Sequence, residues 1–514
     1  MSASQENELE VLIRARYPLI YLVSWEEGRA VKMLKSLAER QGKTFYVWSS
    51  TQGLRESDKP LHGSLKEPQT ALEFVAKSEI PALFILKDLH PYLQDPGIIR
   101  RLRDLVESLK ATYKTLVLLS PSLTVPIELE KDLTVIDYDL PGPAELAQLV
   151  RDVAAAAKVG GRFKFEVQDG DVERLVQAAM GMTLCEAENA LARAIVMDSK
   201  LDAADVEVIL QEKKQIIRKS RLLEFFEARE EFGSIGGADL LKDWLRKRGR
   251  SFAAKARDFG LPQPKGLLLL GVQGCGKSLT CKAIAGLWRM PLLRLDMGAV
   301  FGGFVGQSEE NMRRAIKTAE SVAPCILWLD EVEKGLAGSQ SSSHTDGGTT
   351  ARVFSTLLTW LQEKTKPVFV AATANNISML PPELLRKGRF DEIFFVDLPS
   401  LKERRAIFEI HLKKRGRDPS KFDLGELSRL AEGYSGAEIE QAVIDALYDA
   451  FDADRDLGQE EMKKSLGAQI PLSRTMKEEI EKLRRWAETR ARPAAASQAA
   501  APVVQAGFVR PIEI

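Results

Sequence analysis

The chain has 514 residues, of which 45% are apolar and 28% charged, and its formal net charge at pH 7 is zero. This composition is ordinary for a globular protein, and the length suggests several folding units of roughly 100–200 residues each. The neutral balance gives no electrostatic reason to expect a nucleic-acid partner. The apolar runs are far shorter than the ~20 residues of a membrane span, and the N-terminus lacks the apolar core of a secretion signal. We therefore expect a cytoplasmic protein without a membrane span.

Two apolar runs near the N-terminus predict strands of an α/β domain, but the residues after them are unsuited to nucleotide chemistry. Ile20–Val23 is followed by Ser24–Gly28, SWEEG, which lacks the glycines and the lysine of a phosphate-binding loop. Its two glutamates would repel phosphate. Leu83–Leu86 is followed by Lys87–His90, KDLH, which contains no acidic pair. This half of the chain is predicted to carry the fold without the chemistry.

The middle of the chain predicts a helical connection between two halves. Lys213–Arg229 intersperses six apolar residues with charges, a pattern that favours an amphipathic linker helix. The basic run Arg246–Arg250 is interpreted as a solvated helix face rather than as a phosphate contact.

Residues 271–278, GVQGCGKS, fit the phosphate-loop pattern of glycine, four residues, glycine, lysine, then serine or threonine. They follow the apolar run Leu267–Leu270 and precede a helix-compatible stretch, as the motif requires. Backbone N–H groups of such a loop bind phosphate oxygens at the positive end of the next helix. Lys277 is predicted to reach the β- and γ-phosphates, and Ser278 to bind Mg²⁺. The predicted nucleotide contacts here are Gly271, Val272, Gln273, Gly274, Cys275, Gly276, Lys277, Ser278 and Leu279.

An acidic pair follows the next buried strand. Cys325–Leu329 is an apolar run typical of a parallel strand, and it ends in Asp330 and Glu331. Beside a phosphate loop, Asp330 is suited to the Mg²⁺ shell and Glu331 to orienting or deprotonating an attacking water. A third strand, Pro367–Thr373, leads to two asparagines. We assign Asn375 as the amide that fixes the water or the γ-phosphate; Asn376 is the alternative.

Further motifs occur in the order seen in AAA ATPases, which this chain resembles over residues 230–455. The motifs are Lys265–Gly266, Phe304–Glu309, Ala371–Thr373, Leu384–Asp391 and Gly433–Glu438, besides the phosphate loop and the acidic pair. In the phosphate loop, Val272, Gln273 and Cys275 differ from the residues usual in AAA proteins, which indicates a divergent branch of the family. As a whole the chain resembles AAA proteins of algal plastid genomes and cyanobacteria. The resemblance implies a P-loop NTPase fold, with a parallel-sheet large subdomain and a helical lid, that hydrolyses ATP with Mg²⁺.

The resemblance also implies roles for residues outside the loop. Arg386 and Arg389 match the paired arginines that AAA subunits insert into a neighbour's nucleotide site, where a planar, permanent charge stabilises the transferring phosphoryl group. Fingers that act in trans imply a homo-oligomer, usually a hexameric ring. Gly236–Gly237 matches the segment that packs on adenine, and Gly436–Ala437 opens a lid helix near the nucleotide.

A loop at Phe304–Val305–Gly306 matches the aromatic loop with which AAA rings grip a polypeptide in the central pore. Glycines at 302 and 303 favour a flexible loop over a rigid core element. The Ser/Gly-rich stretch 338–350 occupies the place of a second pore loop. We therefore expect an unidentified protein client, which Phe304 and Val305 would grip.

The first half of the chain resembles a degenerate copy of the second, although an unrelated α/β adaptor domain is the alternative. Val125–Leu129 parallels Leu380–Leu384, and Met180–Glu188 parallels Glu432–Glu440. No arginine lies between Pro126 and Pro141, so this copy has no finger. The expected organisation is an AAA-like α/β domain at 1–141, its lid at 142–215, a linker helix at 216–232, the ATPase large subdomain at 233–399, its lid at 400–490 and a disordered Ala/Pro-rich tail at 491–514.

Two questions of function stay open at this level. Backbone dipoles in the loop would lower the pKa of the Cys275 thiol, so oxidation there is a candidate control of ATP binding; an ordinary small residue is the alternative. ATP is expected to drive remodelling or translocation of a client. The alternatives are an assembly switch or scaffold with little turnover, and a nucleic-acid loader.

Overall fold

The computed structural model describes residues 3–57, 59–61, 65–159, 168–219, 222–226, 233, 235–252, 256, 258–301, 307–335, 347–386 and 388–496. The chain divides into two compact units, Met1–Lys213 and Lys214–Ile514, called the N-terminal and C-terminal units below.

The N-terminal unit is built on a sheet of seven strands with helices on both faces. Its strands are β1 Leu19–Val23, β2 Thr44–Ser49, β3 Gly53–Glu56, β4 Lys59–Pro60, β5 Ala82–Lys87, β6 Thr115–Ser120 and β7 Thr134–Asp137. Its helices are α1 Ala3–Arg14, α2 Glu27–Arg40, α3 Pro68–Lys77, α4 Pro96–Leu109, α5 Pro143–Val159, α6 Asp169–Ala179, α7 Leu184–Asp198 and α8 Val206–Lys219, which runs past the boundary. Strands β1, β5 and β6 are apolar throughout most of their length because both faces of a parallel sheet are covered.

The C-terminal unit contains a second sheet of seven strands. They are β8 Leu223–Phe226, β9 Gly266–Gly271, β10 Leu292–Leu295, β11 Cys325–Leu329, β12 Val368–Ala374, β13 Glu392–Val396 and β14 Arg492–Pro493. The helices are α9 Asp239–Gly249, α10 Lys277–Trp288, α11 Met297–Phe301, α12 Gln307–Ser321, α13 Gly347–Glu363, α14 Leu401–Lys414, α15 Leu424–Leu430, α16 Gly436–Asp452, α17 Gln459–Ala468, α18 Leu472–Thr475 and α19 Lys477–Arg490. Helices α14 to α17 share a separate core that forms the lid.

Five parallel strands of each sheet have the same order, whereas the edge strands of the two sheets differ. The first has the order β4-β3-β2-β5-β6-β1-β7, and the second β14-β13-β9-β12-β11-β10-β8. The strands β1, β2, β5, β6 and β7 are parallel in the first, as are β9 to β13 in the second. When these strands are numbered in chain order, both sheets have the order fifth, first, fourth, third, second. The predicted fold class, an AAA-type module preceded by a related one, is confirmed.

Two predicted boundaries are wrong. The linker helix predicted to run to residue 232 ends at Lys219, and Leu223–Phe226 instead forms the edge strand β8, antiparallel to β10. In this edge strand Leu223 lies in the core of the large subdomain and Phe225 packs against it, and aromatic residues suit such a strand.

The C-terminal boundary differs as well. The predicted disordered tail begins with strand β14 beside β13, and Ala494 and Ala495 are buried. Helix α19, assigned to the lid, packs Leu483 and Ala487 into the large-subdomain core instead. It is fixed there by two hydrogen bonds of 2.8 and 2.9 Å from Arg484 to the Asp397 carboxylate.

Candidate functional site

The predicted phosphate loop connects β9 to α10 in a conformation that requires glycine. A Cβ at Gly271 would lie 2.0 Å from the Val396 carbonyl oxygen, so no side chain fits there. Gly274 and Gly276 have φ angles of 75° and 84°, in the left-handed region that side chains disfavour. The loop therefore curls tightly before the helix begins at Lys277, with its first amides at the positive helix end.

Lys277 is buried, at 6% exposure, and its side chain is hydrogen-bonded to backbone carbonyl oxygens. Its Nζ donates to the carbonyls of Gly271, at 2.9 Å, and Val272, at 2.7 Å. Burial lowers the pKa of Lys277 to about 8, against the opposing charges of Cys275, then Glu333, Glu331 and Asp330. A phosphate that replaced the two neutral acceptors would stabilise the protonated form.

The predicted Mg²⁺ ligands, Ser278 and Asp330, are adjacent. The Ser278 hydroxyl donates to Asp330 Oδ1 at 3.0 Å, and Thr373 donates to the same oxygen at 2.8 Å. Neighbouring ligands of an octahedral Mg²⁺ ion lie about 2.9 Å apart, given its bond lengths of about 2.0–2.1 Å. The hydroxyl and the carboxylate therefore fit this ion. Arg294 Nη2, 3.8 Å from Asp330 Oδ2, adds a cation on the other side of the carboxylate.

Glu331 lies at the turn after β11 and contacts the predicted sensor. Its φ is 47°, and its backbone N–H donates to Thr373 Oγ1 at 2.9 Å, which fixes the turn. Asn375 Nδ2 donates to Glu331 Oε1 at 3.1 Å, and Lys334 Nζ lies 2.5 Å from Oε2. Asn376 instead accepts a hydrogen bond from the Ser378 backbone and caps a short turn. The geometry therefore favours Asn375 over Asn376.

The lid meets the phosphate loop through its backbone. The N–H of Ala437, in the first turn of α16, donates to the Gly274 carbonyl at 3.0 Å. Gly236 and Gly237 lie against lid helix α14, because a Cβ on Gly237 would be 2.1 Å from Glu403 Oε1. The segment predicted to pack on adenine thus lies beside the lid, and Gly436–Ala437, at the start of a lid helix, lies against the phosphate loop.

The two predicted finger arginines lie in the connection between β12 and β13. Arg386 is exposed, and Arg389 donates to the Glu383 carbonyl. In the described part of the chain, no hydrogen bond or ion pair joins either side chain to Lys277, Asp330 or Glu331. The structure therefore brings together the loop, the acidic pair and Asn375, and leaves the arginines apart from them.

Sequence reasoning missed two residues of this site. The sequence placed Thr373 in the motif Ala371–Thr373 but predicted no role for it. Its hydroxyl joins Asp330 to the Glu331 backbone. Glu333 carried no prediction; its Oε1 accepts the Asn375 N–H at 2.9 Å. Its spacing of two residues after Glu331 was the available signal.

Of the two interpretations of Cys275, the structure favours the ordinary small residue over the reactive thiol. Burial raises the pKa of its thiol to about 12, and the favourable charge of Lys277 does not compensate. Desolvation of a thiolate outweighs the loop dipoles here, so Cys275 behaves as a small loop residue.

Some predictions lie outside the described residues. Phe304 and Val305, with the pore loop 302–306, belong to these, as do residues 338–346 of the second predicted pore loop. Among the helices that are described, none is long and apolar enough to cross a membrane.

Comparison with known proteins gives four matches to family models. Residues 267–398 match the ATPase family associated with various cellular activities (AAA), and 421–464 match the AAA+ lid domain. Residues 5–138 and 144–220 match the N-terminal and second domains of SpoVK-like AAA ATPases. The N-terminal unit thus resembles a part of AAA proteins, as its topology indicates.

Similar proteins span most or part of the chain. The uncharacterized AAA domain-containing protein ycf46 of Guillardia theta is 40% identical over 94% of both chains. The cell division cycle protein 48 homolog of Archaeoglobus fulgidus is 28% identical over 78% of this chain and 57% of its own. The proteasome-activating nucleotidase of Aeropyrum pernix is 35% identical over 38% of this chain and 48% of its own.

Proposed function

This chain belongs to the AAA ATPase family, and we propose that it binds Mg-ATP in its C-terminal unit and hydrolyses it. The observation that supports this best is the contact between the Ser278 hydroxyl and Asp330, with Glu331 held one residue further on. A magnesium ligand pair beside a carboxylate suited to water is the arrangement that phosphoryl transfer to water requires.

Binding rests on the loop and Lys277. The loop amides and the N-terminal end of α10 bind the phosphates, and Lys277 exchanges its two carbonyl acceptors for phosphate oxygens. Mg²⁺ held by Ser278 and Asp330 would neutralise charge on the β- and γ-phosphates.

Hydrolysis requires a water aligned with the γ-phosphorus. Glu331 orients this water and accepts its proton as the new oxygen–phosphorus bond forms and the bond to ADP breaks. Asn375 contacts Glu331 and senses the γ-phosphate, so it links the state of the nucleotide to the position of the base. Before turnover, Glu331 must leave Lys334, an exposed partner whose ion pair costs little to break.

The two arginines complete a neighbour's site in this proposal. Arg386 and Arg389 act in trans on the transferring phosphoryl group, so the working form is a homo-oligomer, as a hexameric ring would provide. The lid would move about the segment after Pro399 during the ATP cycle. Phe304 and Val305, which would grip a protein client, would then move that client. The client is unidentified, and the cytoplasmic location stays a prediction.

The test is turnover per subunit as a function of protein concentration, at saturating Mg-ATP. We expect the specific rate to rise with concentration, because sites are completed between copies. Glu331→Gln should keep ATP binding and lose roughly 10²–10³-fold in turnover. If Glu331→Gln hydrolyses ATP at the wild-type rate, the mechanism is wrong.

A mixing experiment separates action in trans from action within one chain. Glu331→Gln has intact arginines but no base, whereas the double variant Arg386→Ala/Arg389→Ala has a base but no fingers. Mixing the two inactive variants should restore part of the activity only if the arginines act on a neighbour. Mixing Glu331→Gln with itself at the same total concentration is the control.

An ATP-controlled assembly switch with little turnover is the second candidate. It is favoured by the two contacts that occupy both carboxylate oxygens of Glu331. Nucleotide-dependent assembly with no measurable hydrolysis at any concentration would support the switch over the motor.

A further inference from the structure

Glu333 is a buried carboxylate beside the site with no assigned role. It lies two residues after Glu331, in the short helical segment 332–335, and is only 5% exposed. An acidic side chain is rarely buried unless it is paired or hydrogen-bonded, because its charge loses hydration. Its contacts therefore indicate what it does.

One oxygen of Glu333 fixes the start of the Asn375 segment. Oε1 accepts the Asn375 backbone N–H at 2.9 Å, at the residue that follows β12. A carboxylate that accepts a backbone N–H forms a short, charge-assisted hydrogen bond, about twice as strong as a neutral one. This contact sets where the chain leaves the sheet.

Asn375, which Glu333 holds by its backbone, also contacts the proposed base Glu331 through its side chain. The Asn375 side chain donates to Glu331 Oε1 at 3.1 Å, so two carboxylates hold one asparagine, one by its backbone and one by its amide. A displacement of the Asn375 backbone would move this amide away from Glu331.

The second oxygen of Glu333 has no such partner. Oε2 is shielded from solvent and accepts no hydrogen bond from the described residues. The nearby charge of Lys277 compensates for part of this cost: among the three carboxylates that raise the pKa of Lys277, Glu333 has the largest effect. A buried acid with one bare oxygen is expensive for stability alone, which points to a role in the site.

We propose that Glu333 is a positioning residue for ATP hydrolysis, which holds Asn375 and thereby sets the orientation of Glu331. The inference rests on the proposed function of the site and adds a residue to it. Glu333 touches neither the phosphates nor the water in this role; it acts through Asn375.

The kinetic test compares Glu333→Ala with Glu333→Gln. Alanine removes the acceptor, so kcat should fall about tenfold while the KM for ATP changes less than about threefold. Glutamine keeps an oxygen acceptor of the same length and should recover most of kcat. Glu363→Ala, an exposed glutamate at the end of α13, is the matched control. Equal losses in Ala and Gln variants, or wild-type kcat in Glu333→Ala, would overturn the proposal.

A coupling experiment checks the route through Asn375. If Glu333 acts through that residue, Glu333→Ala should have little further effect on kcat in the Asn375→Ala background. Full additivity of the two losses would contradict it.

A measurement that does not need turnover keeps this inference separate from the proposed function. Hydrogen–deuterium exchange at the Asn375 amide, followed in a peptide that starts at least two residues before Asn375, should accelerate in Glu333→Ala and stay near wild type in Glu333→Gln. If the wild type does not hydrolyse ATP, the proposed function fails, and exchange alone decides whether Glu333 holds Asn375. Unchanged protection in Glu333→Ala would reject the positioning role.

Discussion

The two units share the order of five parallel strands and differ in the connection between the first parallel strand and the next helix. In the C-terminal unit, β9 and α10 are joined by Val272–Gly276, with two glycines in the left-handed region. In the N-terminal unit, β1 and α2 are joined by the shorter segment Ser24–Glu26, which contains no glycine. The connection after the first parallel strand is thus a phosphate loop in one unit and a short polar turn in the other.

The polar groups of the N-terminal turn are used within the protein. Glu26 is buried and paired with Arg29, which lies 3.0 Å from both oxygens of Glu145 and also donates to the Asp139 carbonyl. The Arg29 guanidinium stacks 4.4 Å from the centre of the Tyr138 ring. In the C-terminal unit, the Lys277 side chain donates, among the residues that the structure describes, to two neutral carbonyls, which a phosphate can replace.

The lid contact, in contrast, is present in both units. The Leu184 N–H donates to Glu26 in the first, and the Ala437 N–H donates to the Gly274 carbonyl in the second. Both lid helices begin with a capping box, formed by Thr183 and by Ser435. Lid docking is therefore a property of the fold, while nucleotide chemistry depends on a few residues in one connection.

The largest expected effect tests whether the chain has one nucleotide site. Lys277→Ala should weaken ATP binding by roughly 10³-fold, because a charge-assisted contact to phosphate is lost. Isothermal titration with a non-hydrolysable ATP analogue should give one site per chain in the wild type and none in the variant. Lys282→Ala, a second lysine on α10, is the control. A site of undiminished affinity in Lys277→Ala would place nucleotide in the N-terminal unit and break the comparison.

The next effect concerns the ion cluster of the N-terminal unit. Arg29→Ala leaves Glu26 buried without its partner and should cost about 3 kcal/mol of the stability of that unit. Calorimetry with and without ATP assigns the transitions, since ATP should raise only that of the C-terminal unit. Arg40→Ala, on the same helix with exposed partners, should cost less than about 1 kcal/mol. A change in ATP affinity in Arg29→Ala would contradict the separation of roles.

A pH dependence sharpens the account of Lys277. Its pKa is lowered to about 8 in the free protein, so above pH 8 ATP binding must also restore a proton. The Kd for ATP should then rise by up to about tenfold per pH unit. Between pH 8 and the pKa that Lys277 has in the unfolded chain, the unfolded chain binds more protons than the folded one. The stability of the free C-terminal unit should therefore rise with pH in this range. Lys277→Arg, which cannot titrate there, should lack the dependence; its persistence would assign it to another group.

The smallest expected effect is a difference between the alkylation rates of two thiols. Cys185 on α7 is exposed, whereas burial raises the pKa of Cys275 to about 12. At pH 8 only about one Cys275 in 10⁴ is then a thiolate, so iodoacetamide should modify Cys185 first and leave ATPase activity intact. Mass spectrometry of partially labelled protein follows both sites. Equal labelling rates would restore the redox hypothesis for Cys275.

The sequence predicted most of the site because its parts are local. A strand, a glycine-rich turn and a helix are consecutive in residues 267–288, and an apolar run that ends in two acids marks its own strand end. The same locality let the N-terminal turn be recognised as unfit for phosphate, since the spaced glycines and the lysine are missing from five adjacent residues.

The linker shows where local patterns fail. Leu223–Phe226 carries apolar residues that suit a helix face or a strand equally, and hydrogen bonding to β10 decided the outcome. Nothing within the segment itself records that a free strand edge is nearby.

The sequence alone thus determined the phosphate loop, the acidic pair and the loss of both from the N-terminal unit, because each depends on residues close together in the chain. The tertiary structure decided that Thr373 joins Asp330 to Glu331, that Glu333 holds Asn375, and that Arg29 bridges Glu26 to Glu145. Apart from the local Glu26–Arg29 pair, these contacts form between residues on different strands and helices. Only the packing of parallel strands, which brings their carboxyl ends to one edge, places such residues within hydrogen-bond distance.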